Sequence, residues 1–279
     1  VTGPKRVPLV LHWHSDVIRQ KMLMRFYGPL LQNRLLSRAD RIVVATPLHL
    51  THSRWLGPYR DKVTVIPFGL ELDRFQPTPS LLARAEHFRQ GARRRGRKVL
   101  LNIGRLVSYK GQRYAIEAMK KLDAELWLAG DGPLRQELQT LAAACGVADR
   151  VKFWGEVSDD DLPALLHACD IFVFPSITTN EAFGLVLVEA MACGKPLVAC
   201  ELASGVPYVC SNEVNGLTCS PADTESLVHA VKRILDDSKL SERLARKGLE
   251  RAGGEFSASA MVARTLDLFS NLTAPASRK

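Results

Sequence analysis

Two glutamates, Glu181 and Glu189, bracket an almost wholly apolar run in "NEAFGLVLVEAMACGKP" (180–196). Carboxylates are seldom tolerated in such surroundings unless something pairs with them. The spacing predicts a helix beginning near Phe183 or Gly184 and stopped by Gly194, since glycine ends helices. Glu181 then falls in the loop before the helix N-terminus. Glu189 lies about five residues inside it, roughly 7.5 Å along the axis. Between them the first N–H groups of the helix, on Gly184, Leu185 and Val186, lack intrahelical partners and form an anion site backed by the helix dipole. Gly184 carries no side chain to bar a diphosphate. A carboxylate, a phosphate cradle and a second carboxylate suit a ligand with hydroxyl groups on both sides of a diphosphate. The plainer reading is one glutamate favouring the dipole and one solvated.

Two further loops carry candidate chemistry. In "GRLVSYKG" (104–111), Arg105 and Lys110 are cations five positions apart that can clamp one polyanion, and Gly104 lets the backbone approach it. A surface loop with incidental charge is the alternative. Gly130-Asp131-Gly132-Pro133 places Asp131 at another strand end, either against a ligand or only in a tight turn leading into a helix. His12, His14 and Asp16 alternate at the end of a strand and so can share one face, as a metal site or as ordinary histidines. Asp159-Asp160-Asp161 has a D-x-D spacing used for metals, but Ser158 with Asp161 resembles a capping box.

The elements that must hold these residues alternate short apolar strands with amphipathic helices. Strands are expected at 7–14, 41–46, 62–69, 98–104, 124–130, 151–155, 171–176 and 196–200. Helices are expected at 17–37, 47–56, 111–121, 134–145, 159–169, 223–236, 239–252 and 257–272. Near-continuous apolar strands between helices argue an α/β fold whose parallel sheet is covered on both faces. In such sheets ligands bind at the carboxyl ends of the strands, where all three loops fall. Residues 1–78 read as one domain with only three strands, so an N-terminal truncation is expected. Two prolines and a basic run make 79–96 a linker. Residues 97–255 complete a doubly wound domain, and 256–279 is a C-terminal helix expected to pack back on the first.

The chain has 279 residues, 46% hydrophobic and 24% charged, the balance of an ordinary soluble protein. No apolar run nears the roughly 18 residues of a membrane span, and no secretory leader is legible. Six cysteines without any C-x-x-C spacing read as reduced core thiols. The net charge of +9 gathers at 19–41 and 93–98, as solvated faces or as a site for anionic membrane or ligands. No nucleic-acid motif accompanies it, so no nucleic-acid partner is expected. No G-x-G-x-x-G opens a βαβ unit, which disfavours a dehydrogenase.

Taken together, G-R-x4-K-G, the "GDGP" turn and E-A-F-G-L-x3-E-A resemble the family-4 glycosyltransferases of the GT-B fold. "ADRIVVATP" and "VIPFGLELDRF" look like the end of that family's acceptor domain. The likeness covers nearly the whole chain and is nearest to the bacterial rhamnosyl/mannosyltransferases of surface-polysaccharide synthesis. It implies two Rossmann-like domains, the N-terminal one cut short, and hexose transfer with retention of anomeric configuration, without metal or cofactor. The implied donor is a nucleotide-diphosphate sugar, GDP-linked (GDP-mannose first) or UDP-linked, and the acceptor a glycan or lipid-linked sugar. Arg105 and Lys110 would neutralise the leaving diphosphate, and Glu181 would hydrogen-bond the transferred sugar. Gly184 and Leu185 would donate backbone N–H groups to the phosphates, and Glu189 would hold the ribose. The loop around 155–157, with Glu156, would lie against the base. His14, with His12 as alternate, would reach the sugar from the other domain. The implied location is cytoplasmic, peripheral on the inner face of the membrane. A non-catalytic nucleotide-sugar-binding module is the alternative of another class.

Overall fold

The computed structural model describes residues 7–14, 16 and 31–273. Most of the basic segment expected as the first helix, 17–30, lies outside the described residues. The chain divides into two units: Val1–Gly69 with Ala258–Lys279, and Leu70–Ser257.

The first unit holds a parallel sheet of β1 (Val10–Trp13), β2 (Arg41–Val44) and β3 (Val63–Val65), in that order. The period-2 alternation of β2 splits its side chains between two layers. Ile42 and Val44 pack with Leu36 of α1 (Asn33–Arg38), with Leu56, and with Trp13 and Trp55. Val43 points the other way and joins Ile66 and Leu268. Leu268 belongs to the C-terminal helix Ala258–Thr273, which also contributes Met261 and Leu272 to this layer. A short helix, α2 (Pro47–His52), follows β2.

The second unit opens with helix α3 (Pro79–Arg94) and carries six parallel strands. These are β4 (Lys98–Ile103), β5 (Ala124–Ala129), β6 (Val151–Gly155), β7 (Ile171–Phe174), β8 (Leu197–Cys200) and β9 (Gly216–Cys219). Their order is β6-β5-β4-β7-β8-β9, so the winding reverses between β4 and β7. That reversal opens a crevice at the carboxyl ends of these two strands. Helices α4 (Gln112–Ala118), α5 (Arg135–Ala144), α6 (Leu162–Ala168), α7 (Leu185–Ala192), α8 (Val206–Val209), α9 (Thr224–Asp236) and α10 (Ser238–Glu255) complete the unit.

Two expectations are corrected. The stretch 79–96 is no linker. Thr78 caps α3, its Oγ1 accepting the Leu81 N–H at 3.2 Å, with Pro79 in the first turn. Arginines of this stretch are paired at long range: Arg89 grips Asp170 at 2.6 Å, and Arg95 Nε donates to the buried Glu125 at 2.7 Å. The division between units also falls earlier than residue 78, because Leu70 is already tied into the second unit by its N–H to the Phe256 carbonyl (2.9 Å). Strand β9 is an addition that the sequence reading lacked.

Candidate active site

The loops after β4 and β7 meet across the crevice. Gly111 has φ +69°, and a Cβ there would stand 1.9 Å from the Pro175 carbonyl oxygen, so only glycine lets the two loops touch. That contact brings Lys110 to Glu181, with Nζ 2.8 Å from Oε1 and both side chains largely buried. The ammonium also lies 5.2 Å from the centre of the Phe174 ring. Arg105, in the same loop, is exposed and has no ion-pair partner among the described residues. Its backbone is nevertheless anchored, because the buried Gln112 amide donates to the Arg105 carbonyl at 3.2 Å. Sequence reasoning missed Gln112, whose burial nothing local announces.

Helix α7 begins at Leu185, with Gly184 as its N-cap in the left-handed region (φ +84°) and no side chain capping it. Among the described residues the N–H groups of Gly184, Leu185 and Val186 meet no acceptor. The other end is closed by its own backbone: Gly194 N–H reaches Met191 O at 2.9 Å and Lys195 N–H reaches Ala190 O at 3.0 Å, a Schellman ending.

Glu189 lies inside α7 with 16% of its side chain exposed. Burial pushes its carboxyl above the usual range, opposed by Arg74 and reinforced by Asp159. Arg74 Nη2 stands 3.7 Å from Glu189 Oε1, beyond hydrogen-bond range. Among the described residues no donor fills the lone pairs of that carboxylate. Arg74 was missed from sequence, since only tertiary packing brings it here.

A cleft of about 630 Å3 runs along the ends of β4, β5 and β6, lined by Gly104, Arg105, Asp131, Glu156 and Val157 among others. Asp131 spends its carboxylate locally, accepting from the Gly132 N–H (2.6 Å) and from Arg135 (2.9 Å). Those two donors hold its carboxyl below the usual range, the Gly132 N–H foremost. Its carbonyl accepts the Leu106 N–H at 2.9 Å and ties the first two loops together.

In the first unit, His14 is exposed, its ring stacked 5.5 Å from Phe68 and 6.3 Å from His12. Asp16 serves the fold instead, accepting from Ser53 Oγ (2.6 Å), Trp13 Nε1 and the Arg54 N–H. Ser158 Oγ accepts the Asp161 N–H at 3.1 Å in the turn before α6, whose N-cap is Asp161 and has no side-chain capping bond, so the expected capping box is not what starts this helix. Among the described residues no group of three or more His, Cys, Asp or Glu side chains is placed to hold a metal ion.

Residues 83–251 match the family model described as glycosyl transferases group 1, and residues 2–69 match a glycosyl transferase 4-like domain. The chain is a group 1 glycosyltransferase by family. It is 32% identical over 263 residues to the O-antigen chain mannosyltransferase C of Escherichia coli, covering 94% of this chain and 69% of that protein. It is 35% identical over 251 residues to the D-rhamnosyltransferase WbpZ of Pseudomonas aeruginosa, covering 90% and 64%. The chain thus spans about two thirds of the length of these relatives. Among solved structures it superposes on Anabaena Alr3699/HepE in complex with UDP with a TM-score of 0.77 at 23% identity, covering 96% of this chain and 72% of that one. The fold is GT-B. In this glycosyltransferase, then, the Lys110–Glu181 pair, the uncapped start of α7 and Arg105 all belong to the second unit, around its switch point.

Proposed function

We propose that this glycosyltransferase moves a hexose, mannose from GDP-mannose first, onto a glycan or lipid-linked acceptor of surface-polysaccharide synthesis. Transfer retains the anomeric configuration and draws its charge neutralisation from the chain's own cations. The observation that carries the reading is a set of groups at one sheet end that make no hydrogen bond among the described residues. They are the Arg105 guanidinium, the α7 N–H groups, and a Glu189 carboxylate that accepts no hydrogen bond among the described residues. Donors gather where a diphosphate would sit, and a free acceptor stands where hydroxyl groups would. The mannosyl and rhamnosyl relatives support the sugar class.

In this reading the leaving diphosphate gains charge as the glycosidic bond breaks. Arg105 and the N–H groups of Gly184, Leu185 and Val186 are fixed to meet that charge, which makes them more effective than mobile water. Lys110 swings part of its charge from Glu181 to the phosphates, and Glu181 turns its freed oxygen to the sugar hydroxyls.

Calorimetry with GDP, UDP and their mannose and glucose conjugates, in EDTA and with magnesium, tests this. Binding of one nucleotide in EDTA, with the matching sugar conjugate bound and turned over by the full-length protein, is the expected result. Binding only with metal would end the metal-free reading. A preference for UDP moves the donor to the UDP sugars, and tight binding without turnover marks a non-catalytic module.

A further inference from the structure

The geometry points to Arg74 as a positioning residue of the nucleotide site: its charge holds Glu189 as an open acceptor for the vicinal hydroxyls of a ribonucleotide. The inference rests on the assignment of Glu189 to the ribose and extends it to Arg74, which lies in "VIPFGLELDRF" but was given no site role there. Arg74 belongs to a short 3-10 turn, Asp73–Phe75, built into the second unit. The turn is pinned by Phe75, which is 1% exposed and whose carbonyl is bonded to His167 Nε2 at 2.8 Å. The guanidinium lies 4.7 Å over the Phe75 ring, with Nη2 3.7 Å from Glu189 and Nη1 3.8 Å from Asp159.

Distance decides what this arrangement does. At 3.7 Å the guanidinium is too far to occupy a lone pair of Glu189 and close enough to favour its ionised form. A shorter, bidentate contact would have blocked the acceptor. The charged groups acting on Glu189 are Arg74, which favours the carboxylate, and Asp159, which opposes it, over a burial that also opposes it. Cys193, one turn on, is itself pushed up by burial and adds no charge. The sign follows. Only the carboxylate accepts two hydroxyl donors freely, so binding weakens as pH falls through the Glu189 midpoint. Without Arg74 that midpoint moves up, and the loss begins at higher pH.

The test titrates the Glu189 carboxyl carbon by NMR in the full chain, for wild type, Arg74→Gln, Arg74→Lys and Asp159→Asn. In parallel, calorimetry follows GDP, UDP and their 2′,3′-dideoxy forms across pH. Arg74→Gln should raise the midpoint by about one pH unit, and Arg74→Lys should stay near wild type. Asp159→Asn, a change at an almost fully exposed side chain, should lower it. Nucleotide affinity in Arg74→Gln should fall about tenfold at mildly acidic pH, be kept at alkaline pH, and lose its ribose preference as it falls. An unmoved midpoint, or a weakening that is equal at every pH and shared by the dideoxy forms, overturns the role. If wild type binds no nucleotide at any pH, the function proposed above fails, while the NMR midpoints still decide what Arg74 does to Glu189.

Discussion

Lys110→Met should cost this protein far more stability than its partial exposure suggests, and Glu181→Gln should largely restore it. The two side chains are 15% and 11% exposed, with 2.8 Å between Nζ and Oε1. Removing one partner of a buried pair costs about 3–5 kcal/mol, because the other charge stays desolvated. The remaining solvent contact screens part of that, leaving about 2–3 kcal/mol for each single variant. For a unit the size of Leu70–Ser257 this is a fall in Tm of about 5–10 °C. The double variant replaces both charges with neutral groups of similar volume, so its deficit should be smaller than either single one. Calorimetric unfolding of the four proteins closes the cycle, with an expected coupling of about 3 kcal/mol. Single costs that simply add, within about 0.5 kcal/mol, would refute the reasoning. They would mean that the two loops are held by the Gly111–Pro175 contact alone and that the charges do not sense each other.

Glu189→Ala should weaken binding of the free nucleotide about 10- to 150-fold, the worth of a charged hydrogen bond. Glu181→Ala should mainly slow transfer, and loss of free-nucleotide binding in that variant would reverse the two assignments. Full-length protein should co-sediment with anionic but not neutral liposomes and be released by salt, because the exposed face of α1 sets Leu35 beside Arg34; equal recovery with both lipids would give that face another purpose. An alkylating reagent at mildly alkaline pH should label Cys145 alone, since burial lifts Cys169 to about 11 and Cys210 to about 12, and labelling of a second cysteine in the folded protein would contradict the packing.

The parts legible in the sequence are those whose cause is local. Strands such as "VLLNI" and "IFVF" are buried on both faces, so their apolar runs are continuous and announce themselves. The α7 segment was legible because its glycines mark both ends. Helix α3 was not, because its only buried positions are Ala85 and Ala92 and four arginines break up what apolar pattern remains. What holds it is a set of arginines reaching acids far along the chain, such as Arg84 to Asp161 and Arg89 to Asp170. Strand β9 is four residues long and takes its identity from pairing with β8. In the site, the motif residues could be named one by one, but that Lys110 engages Glu181 and that Arg74 stands by Glu189 are facts of packing.

The two ends of α7 differ in a way that makes the helix a sensor of its own occupancy. Its C-terminal carbonyls are satisfied by the chain, whereas its first amides are left for whatever arrives. On the function proposed above, the first turn is completed by the ligand and frays without it, in a helix of only two turns. Amide exchange at Gly184, Leu185 and Val186 should slow when the site fills, while Met191 to Lys195 exchange at an unchanged rate. On the proposed donor assignment, the protein carries a built-in readout of donor binding that needs no label, no coupled enzyme and no knowledge of the acceptor.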